Sequence, residues 1–193
     1  MSEAPENVSD AAIEAAMGEW VTKAVIGLGL CPFAAPAAER AAIRYCVSHA
    51  RTEDELVADL VTELETLAEA SPNRLETTLL IVPHLFGDFL EFNDFLDVAD
   101  EVLQKLDLEG EIQVASFHPQ YQFVDHGPED IENYTNRAPW PALHLLREAS
   151  IEQALATIED PAVIFENNIR TMRALGHEGW TRLWQHSARP PKS

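Results

Sequence analysis

Lysine is scarce in this chain: there are three, beside ten arginines and 33 acidic residues, in 193 residues with a formal net charge of −20. The arginines are scattered, and no stretch gathers them into a basic patch. Such a surface repels phosphate backbones and acidic membrane faces, so nucleic acid and membrane are excluded as expected partners. Cysteine is scarce too. Cys31 and Cys46 are too few for a disulfide framework, and their spacing fits neither a zinc ribbon nor a redox pair. No apolar run approaches the roughly 20 residues that a membrane helix needs. The opening "MSEAPENVSD" is acidic and polar, unlike a secretory signal, and a cytoplasmic location is expected. No internal repeat or linker occurs. "GLG" at Gly27–Gly29 is not a dinucleotide fingerprint, because it follows a helical stretch and lacks a third glycine in register.

What is present suits one compact α/β domain, since 46% of the residues are hydrophobic. The domain is expected over residues 10–186, with 1–9 and 187–193 as flexible tails. Asp10 is placed to cap a helix with Ile13, Met17, Trp20 and Val21 at helical spacing, ending near Gly27–Gly29. "IRYCVS", Ile43–Ser48, reads as a strand. Thr52 and Glu55 form a capping box ahead of a helix with a Leu56, Leu60, Leu64, Leu67 stripe. "TTLLIVPH", Thr77–His84, is a second strand, apolar enough to be covered on both faces. Asp88 and Glu91 then start a helix that presents Phe92, Phe95, Ala99 and Leu103. "EIQVASF" is the third strand. Helices are predicted over Pro141–Glu148, Ser150–Ile158 and Pro161–Leu175, the last with Gly176 just past its end. The order implies a small, mainly parallel βαβαβ sheet flanked by helices, with an extra N-terminal helix and a C-terminal helical region. The alternative is a ferredoxin-like α+β sheet with an antiparallel strand near Tyr121–Val124.

In a parallel sheet all carboxyl ends share one edge, and ligands of open α/β sheets bind outside it. The three strands finish "VSH", "VPH" and "FHP", which delivers His49, His84 and His118 toward that edge. Neutral imidazole suits proton transfer near neutral pH and also ligates zinc or iron. Asp88, Glu148 and Cys31 are further candidate ligands, although no HExxH-type spacing supports a metal. The competing reading is that these histidines only close strands.

Three other stretches can carry chemistry. "GLGLCPF", Gly27–Phe33, sets Cys31 beside a proline, where it serves as a nucleophile if its pKa is lowered, as an axial haem ligand, or as plain packing. "NYTNRAPWPALHLLRE", Asn133–Glu148, packs Asn133, Tyr134, Asn136 and Arg137 into five residues. Arg137 can grip a carboxylate or phosphate in two places. On the predicted helix, His144 would share a face with Arg147 or Glu148. "FHPQYQF" puts Tyr121 and Phe123 on one side of an extended stretch, where aromatics can flank a planar ligand.

Taken with "RALGHEGW", these segments resemble one family of bacterial and plant proteins, domain-of-unknown-function family fourteen-fifteen, over about Trp20 to Trp180. The resemblance implies that Cys31-Pro32, His118-Pro119, Tyr121, Asn133–Arg137 and "LHLLRE" are typical of the group. It brings no activity or cofactor with it. His49 falls where relatives carry a different polar residue, which weakens a three-histidine metal site. The function expected is a small-molecule enzyme acting on a polar or anionic metabolite. Cys31, His84 and His118 would be catalytic, and Tyr121, Asn133, Tyr134, Asn136, Arg137 and His144 would bind substrate. Cys31, His118 and Arg137 should then meet in one pocket. The alternatives are a non-catalytic ligand-binding or regulatory protein, or a metal or haem protein with zinc or iron.

Overall fold

The computed structural model describes residues 8–156, 160 and 162–185. α1 (Asp10–Trp20) is the first element of the described residues and continues as one wide π turn, Val21–Ile26. Its cap is Ser9, whose hydroxyl accepts from the Ala12 N–H at 3.3 Å. Val8 packs against the core as well, so the ordered chain starts before Asp10. The remaining residues expected in tails, 1–7 and 187–193, lie outside the described residues, as do His186 and the predicted helix boundaries at Ile158 and Pro161. Gly27 lets the π turn close: a Cβ there would fall 2.3 Å from the Lys23 carbonyl oxygen.

A short α2 (Ala34–Glu39) leads into β1 (Ile43–Val47), α3 (Glu53–Glu69), β2 (Thr77–Ile81), α4 (Phe89–Lys105) and β3 (Ile112–Phe117). The caps match the sequence signals. Thr52 accepts from the Glu55 N–H at 3.3 Å, and Asp88 accepts from the N–H groups of Leu90 and Glu91. A 3-10 turn (Ile131–Thr135), β4 (Ala142–Arg147), α5 (Glu148–Leu155) and α6 (Ala162–Leu183) complete the order. Gly176, at φ 61° and ψ 175°, breaks α6 at the place where the sequence puts the end of a helix.

The α/β class holds, but the sheet is not mainly parallel. Its order is β1-β2-β4-β3. β1 and β2 pair parallel, while β4 runs antiparallel to both β2 and β3. The ferredoxin-like alternative anticipated an antiparallel strand near Tyr121–Val124; the strand is instead Ala142–Arg147, inside a predicted helix. "ALHLLR" has strong helix formers and no β-branched residue, so local preference points to a helix. The slot between β2 and β3 wins, because a central strand is stabilised by two ladders and by burial on both faces. β3 still runs in the sense of β1 and β2, so the carboxyl ends of all three lie along one edge.

Strand alternation sorts the core into two layers. One face of the sheet presents Leu80, Leu143, Leu145 and Ile112 to α3 and α4. The other presents Leu79, Ile81, Ala142 and Phe117 to Trp20 and its neighbours in α1 and the π turn. Leu60 is fully buried in the first layer, while Val124 is 87% exposed on a loop. Urea unfolding should find Leu60→Ala destabilising by about 2–5 kcal/mol and Val124→Ala within about 0.5 kcal/mol of the parent. Equal effects would contradict this layering.

Candidate functional site

The edge where β1, β2 and β3 end does collect the three histidines, but in two different states. His49 and His84 lie near the surface with ring centroids 6.3 Å apart, and His49 Nε2 is 3.0 Å from an Asp10 carboxylate oxygen. Partial burial and the nearby Arg51 hold the His84 pKa below its usual value. His118 is 1% exposed. The Gln120 N–H donates to its Nδ1 at 3.0 Å, which puts the proton on Nε2, and Nε2 then donates to the Phe86 carbonyl at 3.0 Å. Its ring lies near those of Phe89 and Phe92, and burial pushes its pKa down. Both nitrogens are therefore spent on main chain. His118 fastens the end of β3 to the turn after β2 and has no free nitrogen for acid/base work.

A cleft of about 750 Å³ opens outside the same edge. Arg137, just before β4, lines it. Its Nε donates to the Tyr121 carbonyl at 3.0 Å and its Nη2 to the Pro128 carbonyl at 2.6 Å. The guanidinium carbon sits 4.5 Å from the centroid of the Tyr134 ring. Among the described residues no carboxylate forms an ion pair with Arg137 within 4.0 Å, whereas Arg40, Arg44 and Arg173 each have one. Tyr134 packs edge-on against Trp180, and Trp180 against Trp184, so an aromatic wall stands beside the cation. Gln120, Gln122 and Asp88 line the cleft too.

The other residues of the Asn133–Arg137 cluster hold the loop together. Asn133 is fully buried; its Oδ1 accepts from the Phe123 N–H at 3.0 Å and its Nδ2 donates to the Gly127 carbonyl at 2.8 Å. Asn136 accepts the Thr135 hydroxyl through Oδ1 and the His118 N–H through its carbonyl. Tyr121 is packed against Phe89 and Phe123.

Cys31 and His144 lie elsewhere, around a second cavity of about 410 Å³ on the α1 face of the sheet. Trp20 lines both hollows. In β4, His144 stands opposite Leu79 and Ala115. Because β4 is a strand, His144 and Arg147 point to opposite faces instead of sharing one: Arg147 reaches the Leu67, Ala70 and Leu75 carbonyls at the end of α3. The Thr77 hydroxyl donates to the Leu145 carbonyl at 2.6 Å. Its oxygen, 2.9 Å from His144 Nε2, is therefore the acceptor there, and Nε2 carries the proton. What surface His144 keeps faces the cavity, and isolation from bulk water lowers its pKa to about 4. The Cys31 thiol is raised by burial, an effect opposed by the N–H groups of Phe33 and Ala34. Cys46 packs on the α3 side, and burial together with Glu63 lifts it to about 11.

Cys31, His118 and Arg137 thus do not meet: one lines the sheet-face cavity, one is sealed in main-chain bonds, one lines the edge cleft. Among the described residues no three His, Cys, Asp or Glu side chains are placed to hold a metal ion, and His118 has no lone pair left to offer one. Trp20, Trp180, Trp184, Thr77 and Glu76 line these hollows without having been singled out from the sequence. Trp180 and Trp184 stand one helical turn apart, which is a legible signal; Thr77, at a strand start, has none.

The chain belongs to the family described as "Protein of unknown function (DUF1415)", whose model matches residues 12–182, as the sequence resemblance implies. No curated protein and no solved structure matches it. Among the described residues no helix is long and apolar enough to cross a membrane.

The state of His144 sets a pH dependence. An unfolded histidine takes up its proton near pH 6.5, whereas His144 in the folded protein does so only near 4. Between those values the unfolded chain binds more protons, so stability falls as pH falls from about 6.5 to about 4 and is unaffected above. Urea unfolding of the parent and of His144→Leu across this range should diverge by on the order of 3 kcal/mol. Parallel profiles would show that His144 titrates normally.

Proposed function

We propose that the chain binds a small molecule in the edge cleft, with one negatively charged group at Arg137 and a flat apolar part against Tyr134, Trp180 and Trp184. The observation that carries this reading is the unneutralised guanidinium. In a chain with 33 acidic residues and 13 basic ones, a cation braced by two carbonyls and stacked on a ring forms no ion pair within 4.0 Å among the described residues. Bracing fixes its remaining N–H groups in advance, so little order is lost when an anion arrives. The location agrees with the rule that ligands of open α/β sheets sit outside the strands' carboxyl ends.

The surroundings limit the ligand's charge. Asp88, Glu19 and Glu129 also line the cleft. Asp88 is engaged at the start of α4, and Glu19 pairs with Lys23 at 2.8 Å. One carboxylate is matched by Arg137, while a polyanion would meet repulsion. Among the described residues no thiol–imidazole contact forms, and this favours ligand binding over nucleophilic catalysis.

Calorimetric titration with 1-naphthoate and with its neutral analogue 1-naphthamide tests the reading. The carboxylate should bind about tenfold tighter or better. Arg137→Gln should erase the preference, and Arg137→Lys should keep part of it. Because Arg137 also bridges the Tyr121 and Pro128 loops, the indole N–H resonances of Trp180 and Trp184 supply a readout in the unaltered protein: naphthoate should shift them. Equal affinities, or indole signals that stay still, would overturn the assignment.

A further inference from the structure

The sheet-face cavity differs from the edge cleft in what it lacks. Its lining is largely apolar, from Val21, Val25, Phe33, Leu79, Phe117 and Ile151. At about 410 Å³ it falls within the range of ligand pockets, ~300–1,000 Å³. One acceptor atom of its lining has no donor among the described residues, Nδ1 of His144. Nε2 carries the proton, by way of Thr77 and Leu145, so Nδ1 presents a bare lone pair. It makes no hydrogen bond among the described residues, and it is not among the sealed, unpartnered atoms of the interior, so it opens on the cavity. Glu76 offers the cavity no acceptor: one carboxylate oxygen takes Arg40 at 2.8 Å, and the other is sealed in the interior.

An unpaired acceptor in apolar surroundings is costly, and a donor that arrives there is bonded without competition from water. The His144 ring is held ready to receive one, because the Thr77–Leu145 relay fixes its tautomer and Phe117 lies 5.4 Å from it, ring centroid to ring centroid. The same setting turns anions away. Of the two guanidinium groups in the lining, Arg40 is spent on Glu76 and Arg147 on the Leu67, Ala70 and Leu75 carbonyls, and burial keeps the proton on the Cys31 thiol. This lining suits a neutral guest that brings its own proton.

We infer that the cavity on the α1 face of the sheet is a second small-molecule site, built for a neutral, mainly apolar molecule whose single hydroxyl or N–H donates to Nδ1 of His144. The Cys31 thiol borders the bound molecule. Trp20 separates it from the edge cleft, so the two sites take guests of opposite character.

The test compares 4-propylphenol with 4-propylanisole, identical but for the donor. The phenol should bind about tenfold tighter, the worth of one well-made hydrogen bond. In nitrogen-15 spectra the bare Nδ1 signal of His144 should move upfield with the phenol and stay in place with the anisole. In a Cys46→Ser background the phenol should slow alkylation of Cys31 by iodoacetamide. His144→Leu should abolish the preference, and Arg137→Gln should leave it intact, which separates this site from the edge cleft. If His144→Leu does not fold, the Nδ1 signal of the unaltered protein decides. Equal binding of the two probes, a stationary Nδ1 signal, or a preference that survives in His144→Leu would overturn the inference.

Discussion

β4 lies between β2 and β3, so its backbone N–H and C=O groups are satisfied by ladders to those two strands. That constraint governs the rest of the molecule. It fixes the register of Leu143 against Leu80 and Ser116, and with it which side chains enter which layer. A slip of one residue would send His144 into the α3–α4 layer and Leu143 and Leu145 into the cavity. The arrangement is favoured because "ALHLLR" presents leucines to the larger core at every second position, with Arg147 then reaching the bare carbonyls that end α3.

Two hollows of opposite chemistry follow from this one strand. At its start, Arg137 and the loops after β2 and β3 enclose a cleft with a cation and an aromatic wall. Along its length, His144 faces a largely apolar cavity and presents a bare acceptor there. Trp20 belongs to both linings and is 1% exposed, and its indole nitrogen has no hydrogen-bond partner among the described residues. Packing at this residue is the physical boundary between the sites. A guest that displaces the ring on one side changes the wall of the other, because close-packed neighbours cannot yield independently.

Where local signals and tertiary demands agree, the sequence is legible. The Thr52 and Asp88 caps, the leucine stripe of α3 and the apolar runs of β1, β2 and β3 all mark their elements, since periodicity and capping are written in neighbouring residues. The common edge of the three strands follows from the crossovers alone. β4 is illegible because its composition favours a helix and its slot is created by residues some 60 positions earlier at β2. Mistaking its period also misassigns His144, which a helix would pair with Arg147 and a strand turns away from it. The cluster Asn133–Arg137 stands out by composition, yet composition does not separate Arg137, which faces the cleft, from Asn133, which staples its own loop. His118 is legible as a strand-ending histidine. That its two nitrogens are both taken by main chain depends on Phe86, a residue from another strand's loop.

The measurement that bears most directly on this account is the pattern of proton–proton Overhauser contacts around Leu143–Leu146. A central strand requires contacts from Leu143 and His144 across to Leu79 and Leu80 on one side and to Ala115 and Ser116 on the other. Contacts between residues three apart along Ala142–Arg147, with none across to β2 and β3, would mean a helix; the sheet order, the His144 cavity and the separation of the two sites would then all be wrong.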